Sequence, residues 1–155
     1  MNVIGKHADQ STEDVDLGPL GALIGYALRR AQMAVFQDFS RANEAETIRP
    51  AQYSVLKVLH QNPGLRQTQV SGALGIKRAN FVPMLDELQG RGLIERRAVP
   101  ADKRANGLFL TATGTELLGR LDENVAAHEA RFVARIGAQG KQDLLALLRQ
   151  LTDPL

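Results

Sequence analysis

The chain contains no cysteine. Disulfides, thiolate metal sites, zinc fingers, iron–sulfur clusters and cysteine nucleophiles are therefore excluded together, and the protein tolerates a reducing compartment. Histidine is nearly as scarce, with three scattered at His7, His60 and His128. They show no metal-ligand spacing and no glycine-rich phosphate loop accompanies them, so the inventory speaks against an enzyme and against a resident cofactor or metal. No stretch approaches the ~20 apolar residues of a membrane span, and the first residues hold no apolar core of the secretory type. A cytoplasmic protein with no membrane partner is expected.

What remains is an ordinary globular composition: 155 residues, 44% of them hydrophobic, enough for one compact domain with a real core. The net charge of +2 is unevenly spread. Residues 1–16 hold one lysine against four acids, a net of −3, so the remainder carries +5. Residues 1–16 are polar and without periodicity and read as a flexible acidic tail. The folded part is basic, which suits a polyanionic partner only if its cations are clustered.

Apolar residues recur at helical spacing through Leu20, Ile24, Ala27, Leu28, Ala31, Val35 and Phe39, predicting a long first helix from Pro19 to about Ala45. A second helix opens at Arg49-Pro50, turns Tyr53, Leu56, Val58 and Leu59 inward and ends at Asn62-Pro63-Gly64. Two short helices follow, Gln67 to Leu74 and Lys77 to about Gly90, with Gly75 supplying the tight turn of a helix-turn-helix. Strands at residues 93–97 and 108–110, joined by the turn-forming stretch Pro100 to Gly107, make a wing. Thr111 or Thr113, the latter with Glu116 at capping-box spacing, starts a long helix. Its Leu118, Leu121, Val125, His128 and Phe132 alternate by three and four, which invites a partner helix. Gly137 and Gly140 interrupt it before a last helix carrying Leu144, Leu147, Leu148 and Leu151.

The predicted fold is mainly α: a winged helix-turn-helix of about six helices and a two-stranded β-wing, with long helices at both ends. Within one compact domain, the parts are an N-terminal helix over 17–48, a DNA-binding unit over 49–111 and C-terminal helices over 112–155. On the second helix of the helix-turn-helix, Phe81, Met84, Leu85 and Leu88 form the core face. The opposite side presents Ala79, Val82, Pro83 and Asp86, flanked by Asn80, with Lys77 and Arg78 at the start. Such a face suits thymine methyls, Asn80 suits adenine, and the two cations suit phosphate or guanine, so an A·T-rich half-site is expected. Pro83 lies inside the helix, where it lacks an N–H and clashes with the Ala79 carbonyl, so a kink or a reshaped first turn is expected. In the wing, Asp102, Lys103 and Arg104 at the tip and Arg96 and Arg97 on the strand suit a narrow minor groove, with Arg104 as the inserted residue.

The order of these elements, together with Pro50-Ala-Gln-Tyr-Ser-Val-Leu, Gln69-Val-Ser-Gly-Ala-Leu-Gly-Ile, Leu85-Asp-Glu-Leu-Gln-Gly-Arg-Gly-Leu-Ile-Glu-Arg and Asp102-Lys-Arg-Ala-Asn-Gly-Leu-Phe-Leu-Thr-Ala-Thr-Gly, resembles the multiple-antibiotic-resistance regulator (MarR) family across nearly the whole chain. The resemblance implies a homodimer that sets two recognition helices in neighbouring major grooves of a pseudo-palindromic operator. It also implies a small-molecule effector bound where the terminal helices meet the winged unit, and a minor-groove role for the Asp-x-Arg at Asp102 to Arg104. The run Lys77-Arg-Ala-Asn-Phe-Val-Pro is similar to regulators of aromatic-acid breakdown that respond to acyl-coenzyme A thioesters. On the first helix, Tyr26, Arg29, Met33 and Phe36 share the face opposite the main stripe, and an arginine among aromatics suits an aromatic carboxylate or aromatic acyl-CoA. His60 and His128 could line the same pocket. The same six residues also fit plain packing, with Arg29 extended to solvent. An effector-released repressor is the leading expectation; an architectural DNA-binding protein without an effector, or a winged helix used only for protein contacts, are the alternatives.

Overall fold

A computed structural model describes residues 15–99 and 102–152, with backbone alone for residues 99 and 102–105. The element order is a 3₁₀ turn at Gly18–Ala22, then α1 (Ile24–Ala42), α2 (Pro50–Gln61), α3 (Gln67–Ala73), α4 (Arg78–Gly90), β1 (Ile94–Val99), β2 (Asp102–Leu110) and α5 (Ala112–Thr152). The described residues fall into two units that divide between Val35 and Phe36. In the first, the predicted single helix from Pro19 is instead the 3₁₀ turn followed by α1, because Leu23 takes an extended conformation between them. Its expected core stripe is exposed: Leu20, Ile24 and Leu28 are 42%, 64% and 39% accessible.

The second unit holds the core. Val55, Leu56 and Leu59 of α2, Val70 of α3, Phe81, Leu85 and Leu88 of α4, Ile94 and Leu108 of the wing and Leu117, Leu118 and Leu121 of α5 pack into one cluster. Gln52 and Val55 lie on the buried stripe of α2, whereas Tyr53 and Val58, expected inside, are half-buried. Pro50 occupies the first turn of α2, where its missing N–H costs nothing, and the Arg49 amide donates to Gln52 Oε1 at 2.9 Å. The Arg66 amide makes the same bond to Gln69 Oε1 at the start of α3. Between α3 and α4, Gly75 turns the chain with φ of +62°.

The wing extends further than its sequence suggests. Residues 102–107, expected as turn, belong to β2, which pairs antiparallel with β1 from Ile94↔Leu110 to Val99↔Asp102 through an irregularity after Ala98. Pairing of Arg97 with Gly107 and of Ala98 with Asn106 overrides the turn tendency of Asn106-Gly107. Leu65 adds an isolated bridge to Leu108, which ties the approach to α3 onto the wing. Pro100 and Ala101, at the start of the expected turn, lie outside the described residues, as do residues 1–14 of the expected tail.

Thr111, not Thr113, caps α5: its Oγ1 accepts the Gly114 N–H at 2.9 Å and donates to the Gly92 carbonyl at 2.6 Å. Gly114 sits so close to the turn before β1 that a Cβ there would lie 2.0 Å from the Leu93 carbonyl oxygen. Further on, Gly137 breaks the helix with φ of 75° and ψ of 164°. Lys141 Nζ consequently reaches Glu129 at 2.7 Å, although a straight helix would separate these residues by ~18 Å along its axis.

Candidate nucleic-acid interface

Burial of Phe81, Leu85 and Leu88 fixes which side of α4 faces outward. Lys77, Arg78, Ala79, Asn80 and Pro83 are exposed and Val82 is half-buried, so the predicted strip forms one face. Lys77 is the N-cap and makes no side-chain capping bond, which leaves the amides of the first turn and two cations at one exposed end. The helix continues to Gly90 past Pro83. A cleft of about 480 Å³ beside this face is lined by Arg49, Ala51, Ala79, Asn80, Pro83, Met84 and Glu87. Arg49 and Glu87 form an ion pair across it.

The remaining predicted residues are distributed differently. Asp86, expected on the open face, accepts from Arg96 Nη2 at 2.8 Å, while Arg96 Nη1 donates to Gln89. Arg96 thus ties β1 to α4. Arg97 pairs with Glu95 and lies over the Phe109 ring, 4.7 Å from its centroid. The side chains of Asp102, Lys103 and Arg104 lie outside what is described. A second cleft, between the start of α3 and the wing, is lined by Arg66, Gln67, Thr68, Arg96, Asn106 and Leu108.

At the other end of α4, Arg91 reaches back to the linker before α2, donating to the carbonyls of Thr47 at 2.9 Å and Glu46 at 2.8 Å. The Glu46 carboxylate accepts in turn from Arg120 Nε on α5 at 2.8 Å. That bond holds the Glu46 carboxyl below its usual range. Glu46 lies in no sequence motif, and Arg91, although within the block from Leu85 to Arg96, has no role assigned there; their contacts join segments more than forty residues apart.

Of the six effector candidates, Tyr26, Arg29 and Met33 lie in the first unit, where Tyr26 is half-buried and Met33 is 45% accessible. Phe36 is 44% accessible and His60 is exposed. His128 is buried at 3% accessibility, with its ring edge-on to Phe39 and Phe132. Its Nδ1 lies 2.7 Å from Asp38 Oδ2, which also accepts from Arg131 Nη2 at 2.6 Å. Asp38 was absent from the sequence candidates because a lone acid on an exposed-looking helix carries no signal. A parallel cluster joins α2 to α5: Asp122 accepts from Tyr53 Oη at 2.8 Å and Lys57 Nζ at 2.6 Å. Burial and the bond to Asp122 push the Tyr53 hydroxyl up to about 12.

The hydrogen bonds from Arg131 and His128 hold the Asp38 carboxyl at about 2, below its ordinary 3.8. A carboxyl lowered on folding stabilises the fold above its ordinary value, and that contribution disappears as pH falls from about 4 to about 2. Urea midpoints measured across this window are expected to fall more steeply for the wild type than for Asp38→Asn. Parallel curves would remove Asp38 from the acid response.

Among the described residues no helix is long and apolar enough to cross a membrane, and no group of three or more His, Asp or Glu is placed to hold a metal. The sequence profile of the MarR family matches residues 48–105. A Thauera aromatica protein named as a transcriptional regulator for the hcr operon is 32% identical over 148 residues, 95% of this chain and 89% of that protein. Two solved structures of the transcriptional repressor CouR are also similar. One, bound to a 23-mer DNA duplex, is 43% identical with a TM-score of 0.83 and covers 89% of this chain and 98% of its own. The other, bound to p-coumaroyl-CoA, is 40% identical with a TM-score of 0.85 and covers 92% of this chain and 100% of its own.

Proposed function

Because the chain belongs to the MarR family of winged-helix transcriptional regulators, we propose that it is a homodimeric repressor of duplex DNA, released by an aromatic acid or its coenzyme A thioester. The observation that carries this reading is the exposed, uncapped N-terminal face of α4, held outward by the buried Phe81, Leu85 and Leu88. In this reading Lys77 and Arg78 contact phosphate or guanine, Asn80 reads a base edge, and Ala79, Val82 and Pro83 meet thymine methyls. Arg97, Asp102, Lys103 and Arg104 form the wing contact, with Arg104 in the minor groove.

The apolar residues left exposed at both ends of the chain, among them Leu20, Ile24 and Leu28 and then Leu144, Leu147 and Leu151, support pairing of the terminal helices between two copies. Two recognition helices must then stand ~34–36 Å apart to enter successive major grooves. An effector that prefers a dimer of different spacing lowers DNA affinity without touching a DNA contact; one that binds both conformers equally shifts nothing. The acyl-CoA class is favoured by the likeness to CouR, whose complex contains p-coumaroyl-CoA. Tyr26, Arg29, Met33, Phe36, His60 and His128 are the residues of this chain assigned to effector binding, with Arg29 facing the anionic part.

Fluorescence anisotropy on the upstream intergenic duplex and on a scrambled duplex tests both halves of the reading, first across salt and then with aromatic acids and their CoA thioesters. Tighter binding to the intergenic duplex, lost with one compound class, is the expected result. Equal affinity for both duplexes, unmoved by every compound, would instead establish an architectural DNA-binding protein.

A further inference from the structure

Proline inside α4 leaves one backbone acceptor without its helical donor. In an α-helix the N–H of residue 83 closes onto the carbonyl of residue 79, and Pro83 has no N–H to give. The helix nevertheless continues to Gly90, and the crowding of the Ala79 carbonyl by the Pro83 ring is relieved by tilting that carbonyl outward from the helix axis. Ala79 and Pro83 are both exposed, and both line the cleft beside the outward face together with Asn80. An open carbonyl therefore lies on the strip that the proposed function sets into the major groove.

The chemistry of that strip gives this acceptor a purpose. Lys77 and Arg78 can only donate hydrogen bonds, and the side chains of Ala79, Val82 and Pro83 neither donate nor accept. The two carboxylates on this side of the helix are already held, Asp86 by Arg96 and Glu87 by Arg49. Among the described side chains of this face, the Asn80 amide oxygen is then the acceptor not already held by an arginine, for the amines that adenine and cytosine present in the major groove. Resting on the DNA-binding reading, we infer that Pro83 is a specificity residue acting through the backbone: it frees the Ala79 carbonyl to accept a hydrogen bond from the exocyclic amine of one adenine or cytosine in each half-site.

The test uses full-length wild type and Pro83→Ala on a duplex that the wild type selects from a random pool. The same duplex is then made with single bases lacking the exocyclic amine, purine for adenine and 2-pyrimidinone for cytosine. The wild type is expected to lose about threefold to tenfold in affinity at one amine position per half-site. Pro83→Ala, whose new N–H closes onto the Ala79 carbonyl, binds the parent and amine-free duplexes alike at that position, while its thermal midpoint rises. Asn80→Ala separates the neighbouring side chain: an amine read by Asn80 loses its effect in Asn80→Ala and keeps it in Pro83→Ala. An unchanged analogue profile in Pro83→Ala, or a uniform loss on every duplex, overturns the inference and leaves the DNA-binding reading standing. Failure of the wild type to select any duplex overturns both.

Discussion

Replacing Gly114 by alanine lowers the stability of the chain by about 3 kcal/mol or more, and its thermal midpoint by roughly 6–12 °C. The added Cβ would lie 2.0 Å from the Leu93 carbonyl oxygen and 3.0 Å from its carbonyl carbon. Both are backbone atoms, so no side-chain rotation relieves the overlap. Retreat of Leu93 is blocked because the same carbonyl accepts the Thr111 N–H at 3.1 Å and Leu93 itself is buried in the core. Gly119 supplies the contrast. It lies in the same helix with nothing within 4 Å of its added Cβ, so Gly119→Ala should stabilise by up to ~1 kcal/mol through helix propensity. Urea and thermal melts of the two variants read the difference; a Gly114→Ala protein within about 0.5 kcal/mol of wild type would refute the close approach.

Lys77→Ala combined with Arg78→Ala weakens operator binding by about a hundredfold to a thousandfold at physiological salt, the largest functional loss expected from any pair of surface changes. Both residues are exposed at the uncapped end of α4, and no described core contact depends on either. Each is present twice in a dimer, so the double variant removes up to four cations from the duplex. If all four meet phosphate, the slope of log affinity against log salt should flatten by about 3 to 4. If the arginines instead read guanine, the flattening is about half as large and sequence preference relaxes at one position per half-site. Titrations at several salt concentrations distinguish these outcomes. A slope and affinity equal to wild type would show that this end of α4 does not meet DNA. Unchanged melting would confirm that the loss belongs to the interface and not to the fold.

Much of the winged unit was legible in the sequence because its signals are local. Pro50 and Asn62-Pro63-Gly64 bracket α2, Gly75 marks the turn between α3 and α4, and the spacing of Phe81, Leu85 and Leu88 orients the latter. Periodicity failed in two instructive places. The stripe from Leu20 to Phe39 records which residues are apolar but not what covers them, and in a single chain Leu20, Ile24 and Leu28 face outward while Phe39 is buried. The wing was drawn too short because Asn106-Gly107 favours a turn on its own, whereas pairing with Arg97 and Ala98 keeps it in a strand. Charge was the least legible property. Arg96, Arg97, Asp86 and Asp38 look alike as isolated surface ions. Their partners come from other elements, or from a strand register that periodicity alone does not give.

Glu46 makes the linker before α2 the joint of an unequal lever. If α5 were to tilt about its close seat against Leu93 at Gly114, displacement would grow with distance along the helix. Arg120, which grips Glu46, stands about 9 Å along the helix from the seat, while Gly137 stands about 35 Å away. The arms differ by a factor of about four. A tilt of about 5° would carry the Gly137 end about 3 Å but move Arg120 by less than about 1 Å. Through Glu46 and Arg91 that reduced stroke arrives at the C-terminal end of α4. A tilt of α5 would thus reach the C-terminal end of α4 reduced about fourfold.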